Sequence, residues 1–483
     1  MPNIISEYPF LFTYFSRTVK YLILVFLLLV CVFLSYSNTL QSPFVFDDKE
    51  NIVGNSFLKI DKISLDTIAF VWSAPHPSKN RKIPNLTFAL NHYLNGLNPI
   101  GYHLVNIAIH VVCGLLVAQL FFLTIPHLNL LSSERINLNF LAWGSVFCWA
   151  LHPIQINAVT YIVQRMTSLA ALFALLSINF WLIGRNYVPK KILATTIFWV
   201  FSVVFWILGL LCKEHVIIVP LLVGVHEFFI LQKGRCKIRW HWVWFGSALM
   251  LAVSFFYLGS SQWKQVFSGY SHRDFTPVER LMTEARVLWH YISLFFYPRA
   301  ERFTLLYEYP ISTHFFHPIT TLFSIVSWVG LIIGAWIFRT KYPVFSWSVG
   351  WYLTSHLIES TILPLQIAFE HRMYIPSIAL TFGSMYLLLK SLSAIKVSHF
   401  LQLCTIVLIV ITLGSATYIR NMDFRSVASL YSANLKKYPD SKRLRLNLAI
   451  ELNRMGKTTE GGEMLGVLSE EFPDDILVLQ NWF

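Results

Sequence analysis

The stretch KYLILVFLLLVCVFLSYSNTLQSPFVFDDKEN, residues 20–51, sets an apolar run against a polar loop that opens on two adjacent carboxylates, Asp47 and Asp48. A helix needs about 20 apolar residues to cross a bilayer, and the run over 20–37 meets that length. It follows Arg17 and Lys20 and is long for a signal-peptide core, so it reads as an uncleaved anchor whose far end is extracytoplasmic. The paired acids therefore stand where the chain leaves the membrane.

Composition extends that reading to the whole chain. Of its 483 residues, 55% are hydrophobic and 13% charged, and the mean hydropathy is +0.56. A soluble domain carries about 25% charge, so the class is a polytopic membrane protein surrounded by lipid. The net charge of +13 would suit nucleic acid. Here, however, Lys and Arg lie mostly in short links between apolar runs, the pattern of cytoplasmic loops, and no nucleic-acid partner is expected. The six cysteines stand singly, most of them inside apolar runs, which argues against a disulfide framework or a zinc site.

Apolar runs recur near 20–37, 102–124, 140–151, 167–183, 192–212, 215–231, 242–259, 281–298, 318–338, 344–358, 373–390 and 400–419. With a cytoplasmic N-terminus, the basic links GRNYVPKK (184–191) and QKGRCKIRW (232–240) fall inside. Later links obey the same rule only if 281–298 does not cross. There Val278, Leu281, Met282, Ala285, Leu288, Trp289, Ile292, Phe295 and Phe296 follow helical spacing, while Glu279, Arg280, Glu284, Arg286 and His290 fill the other face. That pattern predicts an amphipathic helix in the interface, or one sealed against other helices. The expected fold is an all-α bundle of about eleven transmembrane helices, N-terminus inside and C-terminus outside. The first loop (38–101), HPIQINAVTYIVQRMTS (152–168), CKEH (212–215), the 259–317 loop, IAFEHRMY (367–374) and the tail then share one external face.

The membrane domain is expected over 1–420 and a soluble segment over 421–483, where the composition changes. KRLRLNLAIELNRMGKTTEGGEMLGVLSEEFPDD (442–475) reads as helix, turn, helix, and Pro439 precedes Pro473 by 34 residues, the tetratricopeptide period. Gly461 takes the consensus small position of the second helix. One full repeat cannot build a deep groove, so a helical hairpin capping the membrane domain competes with a peptide-binding platform.

Each charged motif has a plainer reading beside a functional one. Asp47 and Asp48 could cap a helix, or share charge stress that fits one of them to act as a base. Pro153 could simply end a helix, and Arg165 could reach the interface or contact a phosphate or sugar. Lys213, Glu214 and His215 could be turn residues. Glu370, His371 and Arg372 are harder to explain as structure alone. An acid, an imidazole and a guanidinium at a membrane face are costly unless paired or bound to something, and guanidinium suits phosphate.

Taken in order, PFVFDDKENIVGN (43–55), HPIQINAVTYIVQRMTSLAALF (152–173), CKEHVIIVPLL (212–222) with HEFF (226–229), ERLMTEARVLWHYISLFFYP (279–298) and FEHRMYIPS (369–377) carry a resemblance. Followed by tetratricopeptide-like helices, they resemble the transmembrane and tetratricopeptide-repeat-containing O-mannosyltransferases and their bacterial relatives, of the GT-C superfamily. The repeat array is far shorter than in the eukaryotic members. This favours a bacterial inner-membrane protein with a periplasmic site, or an ER protein if the source is eukaryotic.

The resemblance implies an inverting glycosyltransferase that takes sugar from a polyprenyl-phosphate-linked donor to a hydroxyl of protein Ser/Thr or of a glycan. An acid of the first external loop, Asp47 or Asp48, would be the base. Arg165, Lys213, Glu214, Glu370, His371 and Arg372 are the candidate donor-binding residues. No cofactor is expected. A divalent metal would have only Asp47, Asp48 and Glu370 as ligands, and metal independence is the expectation. The partners are the lipid-linked donor, a protein or glycan acceptor and membrane lipids. Two other classes compete. A transporter would place charges within its spans and show matching halves, and a non-catalytic scaffold displaying the tail would leave the external charges unexplained.

Overall fold

Ser16 opens the first helix, its Oγ accepting the amide of Val19 at 3.4 Å. In the computed structural model, which describes residues 16–78, 80–128, 136–187, 191–235 and 268–482, that helix is α1 (Arg17–Tyr36). Leu22, Phe26 and Leu34 on α1 are more than half exposed, which is stable only where the surroundings are lipid. Every regular element among the described residues is helical.

After α1 the first loop carries two helices, α2 (Leu65–Ser73) and α3 (Lys82–Asn95). The bundle continues through α4 (Pro99–Thr124), α5 (Leu138–Ala150), the single turn α6 (Ile156–Val159), α7 (Arg165–Tyr187), α8 (Ile192–Leu210) and α9 (Val219–His226). Beyond it come α10 (Pro277–Phe296), α11 (Thr320–Ile337), α12 (Pro343–His356), α13 (Pro376–Ala394) and α14 (His399–Asn421). The tail adds α15 (Val427–Lys437), α16 (Lys442–Arg454), α17 (Thr458–Glu471) and α18 (Ile476–Trp482). Helix α4 packs on α1, α5 and α7, with α8 outside α7, and α5 also packs on α13 and α14.

Eight helical segments among the described residues are long and apolar enough to cross a membrane, so the chain is an all-α polytopic membrane protein. The expected runs 140–151 and 344–358 appear as α5 and α12, of 13 and 14 residues, or roughly 20 Å each at 1.5 Å per residue. The run 242–259 lies outside the described residues, as do parts of the 184–191 and 232–240 links and residues 259–267 of the loop expected outside.

Helix α10 takes the second of the two arrangements its pattern allowed. It starts on a capping box in which Thr276 and Glu279 exchange side-chain to backbone bonds at 3.3 and 2.7 Å. It is sealed against α11 and α12: Trp289 stacks on Trp328 at 4.6 Å, and the Tyr352 hydroxyl donates to the Leu288 carbonyl at 2.6 Å. The face turned inward carries Arg280, Glu284, Val287, Tyr291 and Leu294, while Val278 and Leu281 point outward. Two charges of the polar face, Arg280 and Glu284, are thus buried. Arg280 pairs with Glu284 at 2.8 Å and donates to the Thr361, Leu365 and Glu359 carbonyls, which compensates the burial.

In the tail, α16 and α17 form an antiparallel hairpin turned by Gly456, whose φ of +80° suits a helix C-terminus. Gly461 lies where the two helices cross closely: a Cβ there would meet Asn453 Oδ1 at 2.1 Å and the Ala449 carbonyl at 2.9 Å. Helix α15 packs back onto the membrane-domain loops. Asn434 accepts from Thr304 Oγ1 at 2.8 Å, and Lys437 donates to the Arg302 carbonyl at 2.6 Å.

Candidate active site

Residues 151–163 are buried yet form no long helix: two 3-10 turns, Pro153–Gln155 and Ile162–Gln164, flank α6. Buried polar groups need partners, and here each side chain finds one on a different part of the chain. His152 Nε2 bonds the Phe295 carbonyl at 2.9 Å, its ring stacked on Phe295. Gln155 donates to Ser377 at 3.0 Å, Asn157 to Glu370 Oε2 at 3.0 Å, and Thr160 to Asn421 at 2.8 Å. The Tyr161 hydroxyl accepts the amide of Asp47 at 2.9 Å, and the Val163 amide donates to Asp48 Oδ1 at 2.6 Å. This segment is the hub on which the loops at one end of the bundle meet.

The two acids of the first loop part company here. Asp48 is fully buried, with Oδ2 accepting the Val45 amide at 2.9 Å and Oδ1 accepting that of Val163. Burial pushes its carboxyl up to about 8, against the pull of those two amides. Asp47 is exposed, with its backbone amide and its side chain both bonded to the Tyr161 hydroxyl. The residue before it, Phe46, has a φ of +44°, a left-handed conformation that costs a bulky residue energy.

From Asp48 a line of contacts leads to the candidate cations. Gln164, next to Val163, accepts from Thr167 Oγ1 at 2.7 Å, and Thr167 Oγ1 accepts from Lys213 Nζ at 3.1 Å. Lys213 lies 2.7 Å from Glu359. Burial alone would raise the Glu359 carboxyl, but Lys213 beside it, with Arg372, holds it well below the usual range. Burial, then Lys213, pushes the His371 imidazole well below its ordinary value, so it is neutral. Arg372 donates to the Ile367 and Gln366 carbonyls at 2.9 and 2.6 Å and faces Glu284 at 3.7 Å. Glu214 is exposed and pairs with Arg81 of the first loop.

Four of the expected ligand-binding residues, Arg165, Glu370, His371 and Arg372, are buried by the protein. Arg165 is fully buried, its guanidinium spent on Asn106, Thr87 and the Tyr102 carbonyl and lying 4.6 Å over the Phe88 ring. It braces α3 and α4 under the loop and faces no open space. Glu370 is likewise enclosed, accepting from Asn157, the Thr304 amide at 2.7 Å and the Tyr307 hydroxyl at 2.5 Å. The 152–168 motif was visible in the sequence, but Gln155, Asn157, Thr160, Tyr161 and Glu359 were not singled out within or beside it. Glu359 did leave a signal, as a lone acid at the end of an apolar run. Among the described residues no three His, Cys, Asp or Glu side chains converge as metal ligands.

Apolar helices closed at one end by this buried hub define a multi-pass helical membrane protein. The motif resemblance holds in comparison with known sequences: the chain is a homologue of proteins named protein O-mannosyl-transferase. It is 31% identical over 216 residues to one from Homo sapiens, covering 42% of this chain and 28% of that protein. A Drosophila melanogaster relative is 29% identical over 228 residues, 43% of this chain and 24% of that protein. One from Caenorhabditis elegans is 24% identical over 463 residues, 90% of this chain and 61% of that protein. The match thus spans less than a third of the first two relatives. No family model matches the chain, and no solved structure matches it significantly.

Proposed function

We propose that the protein is a glycosyltransferase that moves a sugar from a polyprenyl-phosphate-linked donor to a hydroxyl of a protein acceptor at the extracytoplasmic face. The single observation that carries this reading is the division of labour between neighbours: Asp48 locks the loop while Asp47 presents a solvent-facing carboxylate beside it. The names of the relatives support the acceptor class and make mannose the first sugar to test.

In this scheme Asp47 takes the acceptor hydroxyl proton as that oxygen bonds to the anomeric carbon. The bond from that carbon to the donor phosphate oxygen breaks, and the lipid phosphate leaves as an anion. One displacement inverts the anomeric centre. General bases act where the attacking group loses its proton in the transition state. Lys213 and Arg372, in the cluster reached through Gln164 and Thr167, are the cations proposed to favour the departing phosphate. Glu214 and Glu370 hold the surrounding loops, and the His371 ring stacks on Phe369 beside them.

A transfer assay with the purified protein, a Ser/Thr peptide and a panel of polyprenyl-phosphate sugars tests the reading. Inverted glycosyl-peptide formed with release of lipid phosphate is expected. Transfer from nucleotide sugars alone would contradict it. For orientation, a cysteine placed at the exposed Lys457 should react with an impermeant reagent from outside intact cells; labelling only after permeabilisation would reverse the topology.

A further inference from the structure

Phe46 is held in its left-handed conformation with its ring packed edge-on against Tyr431 of α15, centroids 5.2 Å apart. Tyr431 is buried. A backbone in a disfavoured region persists only where surrounding structure over-determines it, and Tyr431 closes this one from the tail side. The same helix is stitched to a second loop. Asn434 accepts from Thr304 and from the Leu305 amide at 3.4 Å, and Lys437 lies 4.6 Å over the Tyr307 ring. Tyr307 and the Thr304 amide are in turn the donors that fix Glu370. One helix of the soluble tail therefore touches both loops that meet at the hub.

We propose that Tyr431 is a positioning residue for Asp47, so that α15 belongs to the active site and is more than the root of the tail. The proposal rests on the reading of Asp47 as the base. Without the Tyr431 ring, Phe46 relaxes toward ordinary backbone angles, and the carboxylate one residue on swings with it. A displacement of about 1 Å at a reacting group can cost about 100-fold in rate.

The test uses the full-length protein in detergent, comparing wild type with Tyr431→Ala and Tyr431→Phe. Hydrogen exchange over 44–54 should quicken by about 10-fold or more in the Ala variant, with exchange over 83–95 unchanged, because opening is local. Its kcat should fall by about 10- to 100-fold with the donor KM nearly constant, and the Phe variant should match wild type in both readouts. If the Ala variant does not fold, Tyr431→Leu, which keeps apolar bulk without the ring edge, is expected to give the same pair of changes. Wild-type exchange over 44–54, or wild-type kcat, in the ring-less variant overturns the proposal. If Asp47→Asn is fully active, the reading of Asp47 itself fails, and the exchange arm alone decides whether Tyr431 fixes the loop.

Discussion

Asp48 Oδ1 accepts the amide of Val163 at 2.6 Å, joining the first loop to the start of α7 across the whole of α2 to α6. With Oδ2 taken by Val45, this carboxyl is a clamp. Asp48→Asn turns one acceptor into a donor facing a backbone N–H. The loss should be about 1–3 kcal/mol of stability, measured by thermal or denaturant unfolding in detergent. Unchanged stability would mean that the loop does not depend on this clamp.

The same residue sets a pH dependence. Its carboxyl is pushed up to about 8 in the folded protein, against about 3.9 when exposed. The folded state holds the proton where the unfolded state has lost it. This contribution is full below about pH 4 and lost as pH rises to about 8. Wild type should therefore lose stability across that window relative to Asp48→Asn. Parallel stability–pH curves for the two proteins would contradict the assignment.

Lys213→Met removes the partner 2.7 Å from Glu359, a carboxylate only 9% exposed. An uncompensated buried charge typically costs about 3–5 kcal/mol. Adding Glu359→Gln should recover much of that loss, because the stranded charge goes with it. A double variant less stable than the Lys213→Met single would show that the two residues do not act as a pair.

Gly461 and Gly462 offer a matched test of the tail. Alanine at Gly461 collides with Asn453 and the Ala449 carbonyl, whereas nothing lies within 4 Å of a Cβ at Gly462. Gly461→Ala should destabilise the hairpin by about 1–3 kcal/mol. Gly462→Ala should be neutral or gain up to about 1 kcal/mol from helix propensity. Limited proteolysis of the tail ranks the two; equal behaviour would contradict the crossing.

The spans were legible because a run of apolar residues has one use in a bilayer, and α1, α4 and α14 lie close to their runs. The hub was not. Residues 152–163 read as a helix end, because their partners, among them Asp47, Glu370, Ser377 and Asn421, are remote in sequence. For helix α10 the sequence left two arrangements open, because the partners that bury Arg280 and Glu284, Arg372 and the carbonyls of 359–365, are remote in sequence. Arg165 likewise looked free to bind a ligand until Phe88, Asn106 and Tyr102 enclosed it. The adjacency of Asp47 and Asp48 was visible from the start, but their opposite environments depend on Val163 and Tyr161.

The most direct measurement is turnover of Asp47→Asn with a polyprenyl-phosphate sugar, alongside its melting temperature. Asn keeps the size and hydrogen bonding of the side chain but not its proton affinity. Turnover should fall by about 10²- to 10⁴-fold with donor binding and melting temperature near those of wild type. Wild-type turnover in a folded Asp47→Asn protein would contradict the assignment of Asp47 as the base.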